Sequence, residues 1–212
     1  MTQDPEDYDW LDISPMDPGR LDDPIERQTM PPDGKITRRD IRRRMRYVKR
    51  KETAAEALEG TLPGPGESTH YIQAATYDFF HTVPAAVGIL GEVGDLYAST
   101  WTMSRNNVLE LFEIFDGGKI KRISVLTGNY FKRRESAVYA RLLEGLQRRG
   151  QRYAAFGNHT KIVLMDSPPD YIVMEGSANF TSNPRLENYI IVNDRALWDF
   201  HREWMEGVFN GR

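Results

Sequence analysis

The chain has 212 residues, of which 40% are hydrophobic and 28% charged, and a net charge of −3. That balance suits one globular domain with a real core, and no apolar run is long enough to span a bilayer. With no cysteine, disulfides, thiol chemistry and thiolate-held metals are excluded.

The first residues are acidic and lack the basic start and apolar stretch of a secretory signal, so a cytoplasmic protein is expected. Residues 1–34 carry ten acidic side chains, two arginines and six prolines. They lack the apolar content to offset ordering entropy and read as a disordered tail. Residues 35–51 invert the charge, with ten basic side chains against Asp40. Residues 36–59 read as a helix, capped by Thr37 and stopped at Gly60, with Ile41, Met45, Val48 and Leu58 in a narrow apolar stripe. A basic helix thus occupies 35–60, and the Pro/Gly cluster within 61–67 reads as a linker. The remainder, 68–212, reads as one catalytic domain.

In that domain strands and helices alternate. The stretch Tyr71 to Phe80 fits either a strand or a short helix. Strands are expected at Asp95–Trp101, Ile120–Leu126, Arg152–Phe156, Lys161–Met165, Tyr171–Met174 and Tyr189–Val192. Helices are expected at Asn107–Phe115, Lys132–Arg149 and Ala196–Val208. The expected fold class is α/β, a mixed sheet flanked by helices. No internal repeat is visible.

The chemistry concentrates in one segment. His159-Thr160-Lys161 is followed after four residues by Asp166, an HxKx4D pattern. Gly176-Ser177-Ala178-Asn179 (GSxN) begins ten residues past Asp166, and Glu187-Asn188 follows. On a strand, residues i and i+2 share a face, so His159 projects with Lys161 and Ser177 with Asn179. Two neighbouring strands could then present an imidazole, an ammonium, a hydroxyl and a carboxamide to one point. Such groups suit a phosphate. Small Gly176 and Ala178 would permit close backbone approach.

These residues resemble the signature of the phospholipase D superfamily, including its small bacterial nucleases with one motif per chain. The resemblance is densest over about 35 residues, from Gly157 to Asn188. The Asp166–Gly176 gap is slightly longer than the commonest spacing, and the extra residues fall at the turn Pro168-Pro169-Asp170. The resemblance implies that His159 attacks phosphorus to form a phosphohistidine. Lys161 and Asn179 would hold the non-bridging oxygens, and Ser177 would line or support the site. Glu187 would fix an imidazole tautomer, and Asp166 would anchor the strand end. A second histidine must act as general acid and then activate water. The chain holds His70, His81, His159 and His201, and only His159 lies in an HxK. The resemblance therefore implies a homodimer with the active site across its interface, and no cofactor or metal. His81 and His201 read as scaffold residues. Trp101 fits a cleft wall or a core position.

A basic helix of this density would bind nucleic acid, DNA more readily than RNA, in a salt-dependent way. Its candidate contacts are Arg38, Arg42, Arg43, Arg46, Lys49 and Arg50, joined by Lys132 and Arg133 at the start of a later helix. Contact with an anionic membrane surface is a weaker alternative for the same charges. The expected function is a metal-independent phosphodiesterase acting on nucleic acid. The alternatives are a phospholipase-type phosphodiesterase and a catalytically silent nucleic-acid-binding protein on the same fold.

Overall fold

The computed structural model describes residues 38–74, 76–181 and 185–211. The acidic tail and the Thr37 cap lie outside the described residues. Seven strands form one sheet: β1 (Ser68–Ala74), β2 (Val93–Thr100), β3 (Ile120–Gly128), β4 (Arg152–Phe156), β5 (Ile162–Ser167), β6 (Asp170–Gly176) and β7 (Leu186–Asn193). Their order is β1-β7-β6-β5-β2-β3-β4. Strands β2, β3 and β4 run parallel, and the other pairings are antiparallel. The mixed α/β class expected from the sequence is the class observed.

Alternation along the central strands explains the layering. Leu96, Ala98, Ile123, Val125, Val163, Met165, Ile172 and Met174 point to one face, into the main core. That face is covered by α1 (Arg38–Leu58), α2 (Thr82–Leu90), α3 (Arg105–Asp116) and α5 (Ser136–Arg148). The intervening residues Tyr97, Ile162, Leu164 and Val173 meet Trp198 and Met205 of α6 (Arg195–Phe209) on the other face. Strand β5 is apolar throughout its first four residues because both of its faces are covered.

Three departures from the sequence reading have physical causes. First, α1 is built into the core at one end only. Ala54 and Leu58 are fully buried, whereas Met45 and Val48 of the expected apolar stripe are 66% and 51% exposed. The helix stops where Gly60 takes a φ of 71°, a conformation that suits glycine. The Pro/Gly cluster then folds back on the sheet, with the Gly66 amide donating to the Asn193 carbonyl at 2.7 Å. It acts as a tight turn within one core rather than as a spacer between independent parts.

Second, the undecided stretch resolves into β1 and a single 3-10 turn, Phe79–His81, which leads into the unexpected α2. That helix (TVPAAVGIL) is apolar nearly all round, although Ile89 is exposed, so it carries no amphipathic period to read. Its Pro84 lies in the first turn, where a missing N–H costs little. Third, the helix expected from Lys132 to Arg149 is two: α4 (Phe131–Arg134) and α5, broken at Glu135 with φ −126° and ψ 52°. Phe131 and Val138 both enter the main core, and the break redirects the chain between them.

Candidate active site

The C-terminal ends of parallel strands are where open α/β sheets place their sites, because loops diverge there. In this sheet the C-terminal ends of β2, β3 and β4 coincide with the start of β5, the end of β6 and the start of β7, as the Ser99–Ile162 and Ile162–Glu175 pairings require. Four loops from these strand ends carry His159, Lys161, Ser177, Asn179, Trp101 and Tyr130.

His159 and Lys161 lie in an extended segment just before β5 rather than within it. They still come together. The Lys161 ammonium is 2.9 Å from His159 Nδ1 and donates to the His159 carbonyl at 2.5 Å. Lys161 is 6% exposed, while His159 opens to solvent. Burial pulls the Lys161 ammonium down to about 8, against the opposing pull of Glu187. Burial also lowers His159, with the neighbouring Lys161 charge adding to it. An imidazole kept neutral beside a retained cation is the pairing a nucleophile for an anion needs.

The backbone between them is clamped by a residue that carried no weight in the sequence. The side-chain amide of Asn158 donates to Ser99 Oγ at 2.9 Å, and its oxygen accepts from the Thr160 amide at 2.9 Å. Thr160 and Ser99 hydroxyls close the ring at 2.6 Å. An asparagine that accepts from the amide two residues on was the available signal.

Strand pairing sets the rest. The Gly176 amide donates to the Lys161 carbonyl at 3.1 Å, which brings Ser177 alongside. Gly176 is needed for close approach: an added Cβ would stand 2.8 Å from Tyr189 Cβ and 2.9 Å from the Asn188 carbonyl. Ser177 donates to the Glu187 carboxylate and accepts from the Asn188 amide. Glu187 thus engages Ser177, and the ring nitrogens of His159 face Lys161. The loop after β6 is pinned by Phe180, which is fully buried against Phe79 and Phe80. The Phe180 carbonyl accepts from Ser104 N and Asn107 Nδ2 at 2.8 and 3.0 Å. Asn179 precedes it, and its buried side-chain oxygen has no hydrogen-bond partner. Rotating the amide would present the donor end instead.

Asp166 lies at the far edge of the sheet, where its carboxylate accepts the Asp95 amide against Gly94. His81 is fully buried under α1, accepting from the Asp78 amide at 2.9 Å. His201 on α6 accepts from Trp204 Nε1 at 3.0 Å and faces Glu175 at 3.2 Å. Among the described residues neither hydrogen-bonds to His159 nor stacks on it. Among the described residues no group of three or more His, Asp or Glu is arranged to hold a metal ion.

An open cavity of about 600 Å³ borders His159 and is lined by Trp101, Tyr130, Arg133 and Asn158. Sequence reasoning named Arg133 and weighed Trp101, but not Tyr130. Lys132 is exposed and leans over the Tyr139 ring at 5.8 Å. On α1, Arg42, Arg46 and Lys49 are exposed. Arg50 is instead tied to the buried Asp78 at 3.2 Å, so it serves the packing of α1. Arg38 and Arg43 fall on the same helix, and their side chains lie outside the described residues.

A scan of protein-family models gives no match, and neither does a search of curated proteins. Solved structures do match. A polyphosphate kinase from Porphyromonas gingivalis aligns with a TM-score of 0.53 at 16% identity, over 74% of this chain and 29% of that one. The chain thus spans less than a third of that protein. Nuc, a phospholipase D family member from Salmonella typhimurium, aligns at 0.45 and 18% identity, over 68% of this chain and 95% of that one. A phosphatidylserine synthase from Haemophilus influenzae aligns at 0.42 and 11% identity, over 68% and 38%. The architecture is a mixed-sheet α/β fold with its candidate site at one sheet edge. Over 74% of the chain that fold is similar to part of the polyphosphate kinase.

Proposed function

We propose that this chain is a phosphodiesterase that cleaves nucleic acid through a phosphohistidine on His159, with two copies completing one site. The observation that carries the reading is an exposed imidazole on the wall of an open cavity that Arg133 also lines, with the buried Lys161 ammonium set against that ring. The phosphate would displace Lys161 from the ring. A ring nitrogen of His159 attacks phosphorus, and the bond to the leaving oxygen breaks as Lys161 and Asn179 hold the non-bridging oxygens. The leaving oxygen takes a proton from a second imidazole. That imidazole then removes a proton from water, which attacks the phosphohistidine and frees the ring. His81 is fully buried and His201 is held by Glu175 and Trp204, which supports the His159 of a second copy as the acid. Glu187 fixes the tautomer of one of the two rings in this reading.

Nucleic acid is favoured over lipid by where the cations stand. The Tyr47 hydroxyl of α1 reaches Asn106 and Asn107 in the first turn of α3, at the site edge, each at 3.4 Å. The exposed arginines of the N-terminal half of α1 therefore extend from the same edge as His159. Together with Lys132 and Arg133 they would track a phosphate backbone.

The test uses purified protein in EDTA with plasmid DNA, a single-stranded oligonucleotide and anionic phospholipid vesicles. Cleavage of nucleic acid is expected, falling on the order of a thousandfold or more in His159→Asn. A phosphoryl group on His159 after acid-free quenching would be the direct sign. Turnover of lipid alone would replace the substrate class. Tight DNA binding with no turnover would leave a silent member of the fold.

A further inference from the structure

The cavity beside His159 has one wall that phosphate chemistry does not require. Trp101 and Tyr130 lie parallel, with ring centroids 5.7 Å apart and planes 5° from one another. The Trp101 ring is 5.8 Å from the His159 ring. Its position is built. The backbone of Gly128 gives way to it, since an added Cβ there would stand 2.5 Å from Trp101 Cδ1 and 3.0 Å from the Asn158 carbonyl. The Arg134 guanidinium lies over the same ring at 5.6 Å. Tyr130, by contrast, is 52% exposed, and it starts the turn that carries Arg133 into the cavity lining.

A half-exposed flat ring costs free energy to leave in water. Here it is stacked on a second ring, at the nucleophile, with arginines alongside. A centroid spacing of 5.7 Å leaves no room for a third ring between the two. Of the two rings Tyr130 is the more exposed.

We propose that Trp101 and Tyr130 form a stacking platform for an unpaired nucleobase next to the scissile phosphate, so that the preferred substrate is single-stranded nucleic acid. The inference rests on the phosphodiesterase reading of His159 and narrows its substrate. A base in the stack extends the two-ring pile, and Arg133 holds the adjoining phosphate. Stacking of this kind is tolerant of sequence, because every base has a flat face. A duplex keeps its bases turned inward and would have to unpair one to use the platform.

The test measures binding of a short labelled strand by fluorescence anisotropy, in full-length protein carrying His159→Asn so that nothing is cut. Tyr130→Ala is expected to weaken binding about five- to a hundredfold, and Tyr130→Phe to stay within about twofold of the parent. A strand of equal length made of abasic residues should lose the same factor against the parent, and Tyr130→Ala should then add nothing. A blunt duplex should bind more weakly than the single strand. Equal effects of Tyr130→Ala on intact and abasic strands would overturn the platform, as would a duplex bound as tightly. The two readings fail separately. Cleavage by the unmodified protein without the base–Tyr130 coupling removes the platform alone. The coupling without cleavage removes the nuclease and leaves the platform.

Discussion

Lys161 shows how burial tunes a single group here. Its ammonium is nearly enclosed, and burial brings its pKa to about 8, where an exposed lysine stays charged well above that. The proton is therefore lost within reach of ordinary buffers. Affinity for inorganic sulfate, whose charge is constant over that range, is expected to hold up to about pH 8 and then fall by up to about tenfold per unit. In Lys161→Arg the guanidinium remains charged, so the alkaline fall should vanish even if binding at pH 7 is weaker. Titration calorimetry from pH 7 to 9.5 reads both curves. His81 gives a stability counterpart. Burial and the Arg50 and Lys51 charges, against Asp78, drive its pKa down to about 4. Tyr47 covers the ring at 4.9 Å. The folded state resists a proton that the unfolded imidazole accepts near 6.5. Stability from this group is thus complete above about 6.5 and drains away as the pH falls toward 4, by roughly 3 kcal/mol in all. In His81→Gln, urea midpoints between pH 6.5 and 5 should fall less steeply with acidification than in the parent.

At the scale of the elements, the site depends on how closely β6 and β7 pass. Gly176→Ala would drive a methyl into Tyr189 and the Asn188 carbonyl, and Tyr189 is itself held between Tyr71 and Phe79. The strands would have to part, at a cost of about 1–3 kcal/mol. Because Ser177 follows directly, activity should fall further than the lowered urea midpoint explains. Much of this was legible beforehand. The alternation of Ile120–Leu126, the doubly buried β5 and the amphipathic α6 each announced its own period. The HxK and GSxN spacings announced which strand ends meet. What stayed hidden had a cause in each case. The all-apolar α2 has no polar face to mark its turns. Glu135 carries no glycine or proline to mark its break. Tyr130, Asn158 and Phe180 matter through partners 29, 59 and 80 residues away in sequence, at Trp101, Ser99 and Thr100, and no local pattern encodes such pairs.

For the whole molecule, the two faces of the sheet are covered unequally. Four helices shield one face, while α6 alone lies on the other, over β4, β5 and β6. Beyond it, β1 and β7 expose apolar side chains. Ile72 is 76% exposed and Leu186 is 73% exposed. The register pairs Ile72 with Asn188 and Ala74 with Leu186, so all four side chains stand on the same face. Glu187 points to the opposite face, but Leu186 and Ala74 lie at the strand ends that also carry the candidate site. An isologous contact there would bury both residues twice over a two-fold axis. If two copies meet on this patch, Leu186→Arg placed opposite itself sets two like charges in a dry contact. The variant should run as a monomer in sedimentation at concentrations where the parent is a dimer. Its urea midpoint should change little, because the residue is open to solvent in the single chain. Phosphodiester cleavage should be lost in proportion to the dimer. Mixing Leu186→Arg with His159→Asn should restore nothing, since a mixed pair would hold only one His159 imidazole. Persistence of the dimer in Leu186→Arg would move the contact elsewhere, and a fully active monomer would remove the need for a second copy.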